Sequence, residues 1–140
     1  MSVISAEIYT QVAARSQYRC GYCQSQQRLM GVALTVDHLI PQSLGGATEP
    51  ANLCLACWDC NLAKSDRTTA PDPQTGETVR LFHPIQQIWD EHFRWSESAL
   101  HIIGLTPVGR ATVIALRLNR PQLVESRRYW AMVGWHPPQT

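Results

Sequence analysis

Nowhere does this chain contain the run of about 18 apolar residues that a membrane-spanning helix needs, so no such helix is expected. Its first residues, from Met1 to Glu7, lack the basic and apolar blocks of a signal peptide, and a cytoplasmic location is expected. An excess of one charge is missing as well. Twelve Lys and Arg stand against eleven Asp and Glu, for a net charge of +1, which argues neither for nor against a nucleic-acid partner. Cysteine is absent outside residues 20–60, where all five lie, and five is an odd number. In a chain without an export signal, that clustering suggests metal rather than disulfides. No βαβ pattern surrounds either Cys-x-x-Cys pair, which weakens a thiol-redox reading.

What remains is globular in composition, with 44% hydrophobic and 16% charged residues. A length of 140 residues suits one domain, or one domain with an elaborate extension. The distribution of charge says more than its sum. Residues 1–70 hold five basic and five acidic side chains, whereas residues 105–130 hold Arg110, Arg117, Arg120, Arg127 and Arg128 against Glu125 alone. Such a basic end binds phosphates or only solvates otherwise apolar helices; both readings stand at this level.

In chain order, Ser5 caps a helix over about 6–16 with Glu7 in its first turn. Cys20, Gly21, Tyr22 and Cys23 form a tight knuckle, and residues 24–31 read as polar linker. Val32 to Val36 and Leu53 to Ala56 fit two short strands, joined by a loop through Pro41, Gly45, Gly46 and Pro50. The second knuckle, Cys57 to Cys60, opens a helix over about 60–66. Residues 68–78 read as a loop, with two prolines and a glycine. Beyond it come a strand at 78–82, a helical turn at 84–90 and a hairpin through Ser96, Glu97 and Ser98. Thr106 and Pro107 start a largely buried helix to about Leu118, placing Arg110 and Arg117 on one face. Pro121 opens a last helix that Gly134 closes, with Leu123, Trp130 and Val133 toward the core.

Two Cys-x-x-Cys turns separated by 34 residues, from Cys23 to Cys57, have the makings of one tetrahedral zinc site of Cys20, Cys23, Cys57 and Cys60. Cys54 and Cys57 also have the Cys-x-x-Cys spacing. Cys54, however, lies within an apolar run, where a thiol behaves as a small hydrophobe.

Between the knuckles the chain reads D-H-L-I-P-x-S-x-G-G from Asp37, then Asn52-Leu53, and the second knuckle continues as C-x-x-C-N-x-x-K to Lys64. This pattern resembles the HNH endonucleases over about residues 18–67. The resemblance implies a ββα-metal (His-Me finger) core with two zinc knuckles. With the elements read above, the expectation is an α+β protein with an N-terminal helix and a C-terminal extension of a β-hairpin plus two helices, the nuclease core in residues 1–69 and the extension in 70–140.

Carried across by position, His38 is the general base for water and Asn52 pins the loop between the strands. Asp37 and Asn61 hold one divalent cation, and two oxygen donors favour Mg²⁺ or Mn²⁺ beside the structural Zn²⁺. The implied activity is hydrolysis of DNA, expected to be double-stranded, by a monomer or a homodimer. Lys64, Arg67, Arg110 and Arg117 are candidate phosphate contacts, Lys64 against the plain reading of a solvated helical lysine. A zinc-ribbon-like binding module without cleavage is the rival, although it needs neither Asp37-His38 nor Asn61. One tension is visible already: neighbours on a strand face opposite ways, yet Asp37 and His38 must both reach one site.

Overall fold

The computed structural model describes residues 4–139; the leader reading at Met1–Val3 and the tail's end at Thr140 lie outside the described residues. The chain is mixed α and β, with three two-stranded sheets among the described residues, and it divides into two compact units. The first runs through Thr68 and includes His83–Gln86; the second comprises Thr69–Phe82 and the chain from Gln87. Among the described residues no helix is long and apolar enough to cross a membrane.

In the first unit, α1 (Ala6–Arg15) starts where expected, with the Ser5 hydroxyl accepting from the Ile8 amide. Its Val12 and Ala13 are fully buried, and the helix packs against the second strand of the unit. The expected polar linker carries a short helix, α2 (Gln27–Met30), which Gly31 ends in the left-handed conformation. The first strand, β1 (Thr35–His38), starts later than the apolar run suggested. The reason is local: the Leu34 amide bonds the Gln27 side chain and its carbonyl accepts from the Tyr9 hydroxyl. Neither group is left for a sheet ladder, and Val32 is exposed. Antiparallel to β1 runs β2 (Leu53–Ala56), in the register Asp37 opposite Cys54 and His38 opposite Leu53. All four β2 residues are buried. The next helix, α3 (Trp58–Lys64), follows at once, with the Cys57 sulfur accepting from the Cys60 amide at its start.

The second unit departs further from expectation. The stretch 68–78 is a hairpin rather than a loop: β3 (Thr69–Pro71) pairs with β4 (Thr78–Arg80). Proline marks a loop unless it falls where the ladder needs no donor, and Pro71 ends its strand. Asp72 shapes the turn, its side chain accepting from the Gln74 amide and the Thr75 hydroxyl. After α4 (Trp89–His92) comes the expected hairpin of β5 (Phe93–Trp95) and β6 (Ile102–Gly104).

Thr106 caps α5 (Pro107–Ala115) as read from the sequence, but this helix stops three residues early. Arg117 takes a positive φ of 52°, a turn that lets both Leu116 and Leu118 reach the core. Arg110 and Arg117 therefore do not share a helix face, and Ile114 is exposed rather than buried. In α6 (Pro121–Met132) Leu123 is buried, but Val133 is exposed and the fully buried long side chain is Arg127.

Candidate functional site

Four sulfurs meet in the first unit. The ligand atoms of Cys20, Cys23, Cys57 and Cys60 all lie within 4.8 Å of one another, and all four residues are buried. The Cys23 and Cys57 sulfurs are 3.7 Å apart. A tetrahedral zinc with Zn–S bonds of about 2.3 Å has edges of about 3.8 Å, so the cluster fits that ion. The backbone secures the first knuckle through Gly21 N–H to the Leu55 carbonyl, 2.8 Å, and Cys20 N–H to Ser25, 2.9 Å. Cys54 lies outside the cluster. Buried beside the Tyr22 hydroxyl, it has its thiol pushed well up by burial, as an inert core thiol would.

The loop between β1 and β2 is tied at both ends by one side chain. Asn52 Oδ1 accepts from the Ile40 amide at 2.8 Å, and its Nδ2 donates to the carbonyls of Ile40 and Ala47. Arg15 steadies the segment around it, donating to the carbonyls of Pro50 and Leu53. Gly46 permits the close fold of this loop, because a Cβ there would lie 1.7 Å from the Ile40 carbonyl oxygen. At the end of β1, half-buried His38 meets Thr48 through Nε2 at 2.9 Å. Its Nδ1 has no partner among the described residues.

Asp37 goes the other way. It is 4% exposed, and its carboxylate takes the Tyr22 hydroxyl at 2.8 Å and the Lys64 ammonium at 3.2 and 3.3 Å. Burial pushes the Asp37 carboxyl up, and Lys64 and Tyr22 oppose that shift. Tyr22 is itself driven well up by burial, with Cys54 and Asp37 adding to the effect, so it remains a donor. Asn61, one turn before Lys64 on α3, donates through Nδ2 to the Thr35 hydroxyl at 2.9 Å. The helix thus sets Asn61 against Thr35 and Lys64 against Asp37.

That arrangement does not fit a hydrated divalent cation on Asp37. Mg²⁺ requires oxygens at about 2.0–2.1 Å and keeps several waters. Here both carboxylate oxygens already face an ammonium, in a position with almost no solvent access.

The expected phosphate contacts are placed unequally. Lys64 is 2% exposed, so it is an interior ion-pair partner and not a solvated helix lysine presented to DNA. Arg110 forms a two-pronged pair with Asp72, at 2.9 and 2.8 Å. Arg67 and Arg117 are exposed, and Arg67 donates to the Ala63 carbonyl. Thr48, Tyr22 and Arg15 were not singled out by sequence; each acts across a separation that no local motif records.

Residues 20–67 match the family model described as HNH endonuclease, a span that holds the cysteine cluster, Asp37, His38, Asn52, Asn61 and Lys64. The motif resemblance therefore holds over that stretch. The chain is also similar to the Septu protein PtuA of Bacillus mycoides (strain KBAB4), at 27% identity over 134 aligned positions covering 78% of this chain and 18% of that protein. To the Septu protein PtuB of the same organism it is 24% identical over 135 positions, covering 78% of this chain and 45% of that one. It thus spans less than half the length of either relative. No solved structure matches it significantly.

Proposed function

We propose that residues 1–69 are an HNH-type nuclease core that hydrolyses DNA phosphodiesters, built as a ββα unit on a structural Zn²⁺ held by Cys20, Cys23, Cys57 and Cys60. The observation that carries this reading is His38: a half-buried imidazole with Nε2 anchored on Thr48 and Nδ1 unpartnered among the described residues, beside a loop pinned by Asn52. In the tautomer whose Nε2–H donates to Thr48, the lone pair lies on Nδ1, which is the form a general base requires.

In the proposed step, Nδ1 takes a proton from water as the water oxygen attacks phosphorus in line. The P–O3′ bond breaks and the 3′ oxygen takes a proton from solvent, leaving 5′-phosphate and 3′-hydroxyl ends. Held by Cys20, Cys23, Cys57 and Cys60, a zinc ion would supply no chemistry and would fix α3 against the sheet. No step is assigned to a cation on Asp37. Duplex DNA is the proposed substrate, and a reducing cytoplasm would keep the five thiols available.

One observation favours a second reading. The closure of Asp37 by Lys64 suits a zinc-bearing binding module that does not cut. Plasmid nicking separates the two. Wild type is expected to nick plasmid DNA and His38→Ala to lose cutting while retaining zinc and fold. A wild type inert in every divalent cation, on single-stranded and duplex DNA alike, would leave only the binding module.

A further inference from the structure

Lys64 is the chain's only lysine, and it is buried. Lysine is almost never fully buried without a partner. Its ammonium has three protons and three oxygens around it: both Asp37 carboxylate oxygens at 3.2 and 3.3 Å and the His38 carbonyl at 3.3 Å. Tyr22 supplies the remaining donor to the carboxylate. The position is set by rigid parts, because α3 is held at its first turn by Cys57 and Cys60, and Lys64 lies one turn beyond Cys60. A second cation on the same two oxygens would have to stand beside this ammonium in a nearly dry interior, where like charges repel strongly.

We infer that Lys64 is an intramolecular counter-cation that competes with divalent cations for Asp37. The resting centre is filled by an ammonium, and Mg²⁺ binds the carboxylate only when the ion pair is broken. The expectation of a divalent cation rests on the nuclease reading. The test does not read cleavage, so failure of either leaves the other to be judged separately.

The experiment is thermal denaturation of the zinc-loaded full chain, with and without millimolar Mg²⁺, for wild type, Lys64→Met and the double variant Asp37→Asn with Lys64→Met. Lys64→Met leaves a buried carboxylate without its cation and is expected to melt below wild type in the absence of Mg²⁺. Mg²⁺ should then raise its Tm by about 5 °C or more, while wild type moves by less than about 1 °C. The double variant carries no charge to be matched and should be insensitive to Mg²⁺. Equal Mg²⁺ responses in wild type and Lys64→Met would overturn the inference. So would a Lys64→Met protein that gains nothing from Mg²⁺, whether it is folded or unfolded, while the double variant folds.

Discussion

The first unit gathers four thiols at one point, whereas the second distributes its arginines over carbonyl oxygens and a carboxylate. In the first, Cys20, Cys23, Cys57 and Cys60 bring two knuckles, a strand end and the start of α3 together. In the second, Arg127 is 1% exposed and donates to the carbonyls of Leu100 and Leu118 and to Asn119, with its guanidinium 5.1 Å from the Trp95 ring centre. Asp72 and Arg110 tie the β3–β4 turn to α5 in the same unit. A metal cluster concentrates stability at a single removable ion. Buried arginines distribute it among hydrogen bonds that each contribute modestly but are costly to leave unmade.

Removing the proposed zinc is expected to strike one unit and spare the other. Cys57→Ser, or a strong chelator, is expected to melt the first unit while α5, α6 and the second unit's hairpins stay ordered. Hydrogen exchange resolved by peptide checks this, and uniform loss of protection in both units would break the comparison. The next effect in size belongs to the second unit. Arg127→Ala takes a donor from the Leu100 and Leu118 carbonyls and should cost about 3 kcal/mol or more in urea unfolding.

A smaller effect is pH-dependent. Arg110 beside Asp72 holds that carboxyl well below the ordinary carboxylate range. A depressed native pKa adds stability that is fully present above the unfolded value of about 4 and is lost as the pH falls below it. Asp72→Asn should therefore lower stability at neutral pH and flatten the acid-side decline of the second unit in pH-dependent melts. The smallest effect concerns the exposed Arg117. Arg117→Glu is expected to leave Tm unchanged and, if the residue touches DNA, to alter the salt slope of binding by about one phosphate contact. An unchanged slope would assign it to solvation.

The local chemistry was legible in the chain itself. Ser5 and Thr106 cap their helices because a hydroxyl three residues before an amide satisfies it wherever the helix ends up. The hairpin around Ser96–Ser98 and the β2 strand also fall where apolar alternation and turn residues put them. The β3–β4 hairpin was not legible, since its pairing depends on Asp72 organising a turn that proline and glycine disguise as a loop. Nor was the early stop of α5, where a left-handed Arg117 is tolerated so that Leu116 and Leu118 both become buried.

By itself the sequence determined which four cysteines could share a site and where the motif residues Asp37, His38, Asn52 and Asn61 stand along the chain. Such spacings are short enough for local geometry to enforce, or distinctive enough as a motif to match. Only the tertiary structure decided which charges remain available. Arg110, Arg127 and Lys64 look alike in sequence, as cations on helices, yet one meets Asp72, one meets carbonyls and one meets Asp37. Whether a long cationic side chain faces water or a buried oxygen depends on residues 8 to 38 positions away. No local periodicity encodes that choice; packing does, because burying an unpaired charge is too costly for the fold to leave it unmatched.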